Sequence, residues 1–117
     1  MRPAPIKPVM SVEDLEKLDV RVGTIRDVLD VPSSKKLVQL VVSFGDHTRT
    51  ILAGLKEERA DIRALIGKQA LFVVNLVPRK MAGIVSEGML FDIGYADGVT
   101  PVLAQPETPV PDGCRAG

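Results

Sequence analysis

The chain has 117 residues, enough for one domain that buries roughly 65% of its unfolded surface and needs neither disulfide nor metal to fold. Its residues are 45% apolar and 26% charged, which excludes a disordered chain, and three Phe, one Tyr and no Trp leave it poor in aromatics. Fifteen basic residues balance fifteen acidic ones, so the mean field draws it to neither nucleic acid nor an anionic membrane, and any polyanion site must come from local clustering.

Residues 1–10, with prolines at 3, 5 and 8, read as an extended arm preceding a single domain over 11–117. Ser11-Val-Glu-Asp14 has the spacing of a capping box, and Val12, Leu15 and Leu18 recur at helical spacing, which predicts a short helix over about 12–18. From Asp19 the run DVRVGTIRDVLDV is β-branched, with Val20 and Val22 on one parity and Ile25, Leu29 and Val31 on the other. Gly23 stands at that switch, so a bent, bulged strand is expected there. KLVQLVVSF (36–44) is a second strand, Gly45-Asp46-His47 a turn and TRTILAG (48–54) a third strand, which together make an antiparallel meander.

Over 55–66 the period changes: Ile62, Leu65 and Ile66 share a helical face, charged residues decorate the rest, and Gly67 stands where a C-terminal glycine belongs, so a helix is predicted. QALFVVNL (69–76) reads as a buried strand and GMLFDIG (88–94) as a fifth. Asp97-Gly98 is a turn, PVLA a short strand, and QPETPVPDGCRAG a proline-punctuated tail, giving a C-terminal extension from about 95. Three strands, a helix and two strands is the order of the five-stranded Greek-key barrel called the OB-fold. The predicted class is therefore all-β with one or two short helices, with N- and C-terminal extensions on the barrel. A half-open sheet under one helix and a small β-sandwich use the same elements.

OB-folds bind through the loops joining strands one and two and strands four and five. Those loops are VPSSKK (31–36) and VPRKMAGIVSE (77–87), which carry Lys35, Lys36, Arg79 and Lys80 with no acid before Glu87. Loops collect charge for solvation alone, but two basic pairs on the two expected loops provide the clustering that a neutral chain requires. Arg21 lies in the first strand beside the bend. Asn75 ends five apolar residues, so its amide either meets a ligand or holds the following loop. Ser86-Glu87 has the same two readings, because it is equally suited to capping backbone donors. Pro78 fixes one backbone angle of the loop, and Gly83 and Gly88 permit close approach. Phe44, Phe72 and Phe91 occupy strand positions that look like core, leaving Tyr95 as the one candidate stacking platform. A nucleic-acid ligand would thus be held mainly through phosphates, sugars and shape.

The residues carry little other chemistry. His47 is the only histidine and sits in a turn, so no histidine-rich metal site or local nucleophile pair is expected. LIGKQ shares only Gly-Lys with a phosphate loop, since Ile62 stands five before Gly67 and Gln69 follows Lys68. Cys114 is the single cysteine, the start Met-Arg-Pro-Ala-Pro lacks the apolar core of a signal peptide, and the apolar runs fall far short of the ~20 residues that span a bilayer. The expectation is a soluble cytoplasmic protein with no membrane association, no enzyme activity, no catalytic residue, no metal and no cofactor.

The segments DVRVGTI (19–25), KL (36–37), ILAGL (51–55), LIGK (65–68), NLVPRKMAGIVSEGM (75–89) and the closing VPDG make the chain resemble the tRNA-binding domain family over roughly 14–115. The long segment is the specific one. That family includes a free-standing bacterial tRNA-binding protein, the C-terminal appendage of methionyl-tRNA synthetases and eukaryotic cytokine-like domains. The resemblance implies an OB-fold with added terminal structure, homodimerisation through it, and binding of folded tRNA near its outside corner, alone or with an aminoacyl-tRNA synthetase. Carried over by motif, the contact residues are Arg21, Lys36, Asn75, Arg79, Lys80, Ser86 and Met89, with Lys35 auxiliary and Pro78, Gly83 and Glu87 shaping the loop. The SSKK turn departs from the family's Asn-Ala-Asp-Lys type but leaves Lys36 in register. A sister branch is an export-related chaperone that holds unfolded polypeptide; Lys-Met and Ser-Glu-Gly-Met fit the tRNA branch better.

Overall fold

The computed structural model describes residues 1–117, whose regular structure is mostly strand. Strand β1 (Val20–Asp30) is the longest, followed by β2 (Val38–Ser43), β3 (Thr48–Ala53) and β4 (Gln69–Val73). The hairpin strands β5 (Arg79–Met81) and β6 (Ile84–Ser86) precede β7 (Met89–Leu90), β8 (Asp92–Ile93), β9 (Val102–Leu103) and β10 (Arg115–Ala116). One helix, α1 (Val12–Leu15), and 3-10 turns at Ile62–Leu65 and Tyr95–Asp97 complete the elements. No helix is long and apolar enough to cross a membrane.

Strand β1 organises the sheet because it serves two partners. Thr24–Asp30 pairs with β2, while Val20–Thr24 pairs with β4, and the resulting order β3-β2-β1-β4-β7 curls into a half-barrel consistent with an OB-like fold. All of these pairings are antiparallel. Gly23 sits at the changeover: a Cβ there would stand 2.5 Å from Val42 Cγ1 and 2.9 Å from Phe44 Cε1. The ladder slips between Ile25 and Asp27, so the bulge expected at Gly23 falls on Arg26, which is exposed. A bulge bends and twists its strand, and here it lets one strand feed two sides of the curl.

Side chains on the inner face form one core. In β2 burial alternates, with Val38, Leu40 and Val42 inside, and Ile25, Ile51, Ala70 and Phe72 are fully buried around them. Phe44 meets Phe72 edge to face at 5.7 Å between ring centres, a geometry that aromatic quadrupoles favour. The C-terminal segment is strapped across the barrel. Gly113 N–H donates to Val22 O, Val22 N–H to Cys114 O, and β10 pairs with β1 beyond them. Gln69 fastens the same strap, its Nε2 donating to Val110 O and its Oε1 accepting from Val110 N–H.

Five expectations are corrected. The helix predicted over 55–66 is a single 3-10 turn, because the segment is tied outward: Arg59 donates to Pro101 O, Arg63 to Val28 O, and Gly67 N–H to Ile25 O. The helix predicted over 12–18 closes after Leu15, although Ser11 Oγ caps Asp14 N–H as its spacing implies, and its apolar side chains remain exposed. The fifth strand breaks after Leu90, whose partner is Phe72, and resumes as β8 against β9. Phe91 at that break is 42% exposed, so it lies outside the core that holds Phe44 and Phe72. Segment 77–87, expected as a loop, contains the β5–β6 hairpin.

Gly23→Ala drives a methyl into Val42 and Phe44, and overpacking of this kind costs about 1–3 kcal/mol. Urea denaturation is expected to move to lower midpoint with an unchanged slope; wild-type stability would refute the close-approach role.

Candidate functional site

The hairpin is built on a two-residue turn. Ala82 and Gly83 both have positive φ, 49° and 81°, the primed geometry whose twist matches antiparallel strands, and Arg79, Lys80 and Met81 pair with Ser86, Val85 and Ile84. Its base is stitched to the free edge of β3 by side chains. Ser86 Oγ accepts from Leu52 N–H at 3.0 Å and donates to Gly88 O at 3.0 Å. Glu87 N–H donates to Thr50 O, while Glu87 Oε1 accepts from Thr50 N–H at 2.9 Å. Ser86 is only 4% exposed, with its hydroxyl engaged on both sides. Gly88 is required beside it, since a Cβ would approach Val73 O to 2.9 Å.

Register then fixes where the basic residues go. Val38, which opens β2, is paired with Ala53, which ends β3. Glu87 is bonded to Thr50 and Ser86 to Leu52, so the chain traced backwards from Glu87 climbs β3 toward Ala53. The hairpin therefore runs from Thr50 toward the Ala53 end of β3, the end at which loop 31–37 enters β2. Lys35 and Lys36 precede β2 at this end, and Arg79 and Lys80 pair with Ser86 and Val85 in the hairpin, all four exposed and none with a carboxylate partner. The other basic residues of β1 and of the segments flanking β3 and β4 are mostly neutralised, as Arg26 is by Asp112, Arg59 by Glu58 and Arg63 by Asp27. Ser34 turns the first loop, its Oγ accepting from Lys36 N–H and Leu37 N–H. Met89 is half exposed on β7, and Pro78 is exposed at the foot of the hairpin.

Arg21 stands elsewhere, in a cleft it lines with Asp19, Asp46, His47, Arg49 and Asp112 near the β2–β3 turn, and Asn75 is bonded to the main chain of Asp19 beside it. Arg21 forks onto Asp19 from Nε at 2.7 Å and Nη2 at 3.1 Å, and its Nη1 donates to Gly113 O. The Arg21 hydrogen bond, supported by Arg115, holds the Asp19 carboxyl below its ordinary value near 3.8, and Asp19 in turn raises Arg21. Asn75 accepts from Asp19 N–H and donates to Lys17 O, so its amide closes the junction between the N-terminal segment and β4. No group of three or more His, Cys, Asp or Glu is placed to hold a metal ion.

Sequence reasoning missed Arg49. Its Nη1 donates to Val74 O at 2.7 Å and Glu87 O at 3.0 Å, clamping the end of β4 to the foot of the hairpin, and its guanidinium lies over Phe44. Arg49 Nε also donates to His47 Nε2, so the imidazole proton is on Nδ1, where it is donated to Asp46. Nothing in TRTILAG distinguishes this arginine from an exposed strand residue. Its partners lie 25 and 38 positions away, and no local pattern reports them.

Comparison with known proteins follows the same segments. The family described as "Putative tRNA binding domain" matches residues 20–115. The methionine–tRNA ligase of Phocaeicola vulgatus is 43% identical over 101 residues, 86% of this chain and 15% of that protein, so the chain spans about a seventh of that curated relative. Among solved structures, a MetRS related protein from Pyrococcus horikoshii superposes with a TM-score of 0.85 at 32% identity, covering 95% of this chain and all of the other. The chaperone CsaA of Bacillus anthracis superposes at 0.77 with 27% identity over 94% of this chain and all of its own.

Ser86→Ala leaves the buried Leu52 N–H without an acceptor, which costs about 1–3 kcal/mol. Thermal unfolding is expected to fall accordingly, with hydrogen exchange at Leu52 accelerated; a protected Leu52 amide in the variant would contradict the seam.

Proposed function

This chain belongs to the tRNA-binding domain family, and from that membership we propose that it binds folded tRNA through phosphate contacts and shape, without catalysing a reaction. The observation that carries the proposal is the set of four cations without carboxylate partners, Lys35, Lys36, Arg79 and Lys80, on the first loop and the hairpin of a chain with zero net charge. In this reading the hairpin and loop 31–37 form two walls of a basic groove, with Met89 on the barrel surface below. Arg21, Asn75 and Ser86 serve the groove by holding its scaffold, because their polar atoms are engaged within the chain. With few exposed aromatics, chiefly Tyr95 at 76% exposure, the groove favours duplex and corner phosphates over stacked single-strand bases. The proposed setting is the cytoplasm, with an aminoacyl-tRNA synthetase as functional partner.

Lys80→Ala is expected to weaken binding of all tRNA species alike and to lower the salt slope by ~1. If about four to six phosphates are neutralised per subunit, log affinity falls with log salt at a slope of roughly −3 to −5. Unchanged affinity in Lys80→Ala would remove the site.

A second reading, retention of unfolded polypeptide, is favoured by the likeness to chaperone CsaA and by the exposed Leu76, Val77 and Val85 along the hairpin. Apolar peptide binding is nearly indifferent to salt. Competition between bulk tRNA and a denatured protein for the same chain ranks the two readings; displacement of tRNA by the unfolded protein at high salt would favour the second.

We also propose a homodimer. Ile6, Val9, Val12, Leu15 and Leu18 leave the N-terminal segment apolar and uncovered, and Ile93 and Val102 expose more on the β8–β9 ladder. Ala4 N–H donates to Asp97, which brings the arm against the C-terminal extension. Light scattering at micromolar concentration is expected to give twice the 12.6 kDa chain mass; a monomer would refute the assembly.

A further inference from the structure

Loop 31–37 has no regular structure, yet one residue outside it ties down its main chain. Lys56, two residues after Gly54, donates from Nζ to Val31 O at 2.9 Å and to Ser34 O at 2.7 Å, and its ammonium pairs with Asp30 Oδ1 at 2.6 Å. Its own backbone N–H donates to Lys36 O at 3.0 Å. An ammonium has three N–H groups and no lone pair; two of them are taken by these carbonyls, and Asp30 meets the charge as an ion pair. The side chain is 26% exposed, and its charge is matched by Asp30. Lys56 therefore spends its charge and two of its donors within the chain, while the side chains of Lys35 and Lys36, on the loop it holds, have no partner.

We propose that Lys56 is the positioning residue of the RNA-binding loop. Its ammonium gathers the carbonyls of Val31 and Ser34 as a bound cation would, and this fixes the turn from which Lys35 and Lys36 project. It raises affinity without neutralising a phosphate, because a loop already ordered in the free protein loses less conformational freedom on binding. The inference rests on the tRNA reading of this loop. Arginine is a poor substitute, since a planar fork directs its donors into one plane rather than toward three converging oxygens.

The test uses the full chain with bulk tRNA as the probe and compares Lys56→Met with Lys36→Ala. A third protein, Lys56→Cys in a Cys114→Ser background, is alkylated in denaturant with 2-bromoethylamine and refolded. The thiolate displaces bromide and restores an ammonium at the length of lysine. Lys56→Met is expected to weaken tRNA about tenfold, the size of one lost charge-assisted hydrogen bond, with the salt slope unchanged. Lys36→Ala instead lowers the slope by ~1. In the free Lys56→Met protein the Lys36 and Leu37 amides are expected to exchange roughly tenfold faster. Alkylated Lys56→Cys recovers both affinity and protection.

A slope in Lys56→Met that falls as far as in Lys36→Ala would make Lys56 a phosphate contact and overturn the proposal. Faster loop exchange with undiminished affinity, or alkylation that restores neither property, would overturn it equally. Wild-type binding by Lys36→Ala marks a different failure, that of the tRNA reading of the loop, and the exchange rates of Lys56→Met still report the anchoring separately.

Discussion

The barrel depends on two side chains doing the work of a missing strand. Beyond β3 the sheet has no continuous neighbour, and an unpaired edge within a curled sheet would leave buried N–H groups unsatisfied. The Ser86 hydroxyl and the Glu87 carboxylate stand where a partner strand's carbonyls would be and accept from Leu52 and Thr50. This stitching closes the open side without committing residues 79–86 to the main sheet. The hairpin can therefore rise from the seam as a separate two-stranded element, and its length and direction follow from the register at Leu52 and Thr50.

The chain's neutrality conceals a division of labour among its cations. Arg49 and Lys56 have the same charge as Lys80, yet both point inward and donate to main-chain oxygens, Arg49 at the foot of the hairpin and Lys56 at the first loop. Arg21 does the same for the C-terminal strap through Gly113. These inner cations shape the loops, whereas Lys35, Lys36, Arg79 and Lys80 on them have no carboxylate partners. A charged donor aimed at a carbonyl forms a stronger bond than a neutral one, so irregular loops can be held without regular structure. Each basic loop is thus fixed by one basic side chain and presents two others.

Much of this was legible in the sequence wherever the cause was local. Gly23 between two parities announced a bent strand and a close approach, although the slip in the ladder falls three residues later, at Arg26. The strand-like runs KLVQLVVSF and TRTILAG on either side of Gly45-Asp46-His47 announced the meander. The clustering of Lys35, Lys36, Arg79 and Lys80 was equally visible, being a matter of charge along the chain. The helix expected over 55–66 failed because its apolar spacing competes with Arg59, Arg63 and Gly67, each bonded to a distant strand or to the tail. The β5–β6 hairpin was missed because Ala82-Gly83 is not one of the asparagine or aspartate turns that advertise such a connection, and Ala82 takes its left-handed φ against its own preference. Asn75, Ser86 and Glu87 were legible as polar groups with either a ligand or an internal partner to meet, but the internal partners, Lys17, Leu52 and Thr50, are set by the folded sheet alone.

The C-terminal strap has a topological consequence. Val20, where β1 begins, lies opposite Ala116, and Arg21 opposite Arg115. Paired residues of antiparallel strands are separated by only about 5 Å, so polypeptide enters and leaves the barrel at the same corner. Residues before Val20 run on from this corner to the C-terminal extension, where Ala4 N–H donates to Asp97. The first basic loop leaves β1 at its other end, after Asp30, so the strap and that loop are held apart by the full length of one strand.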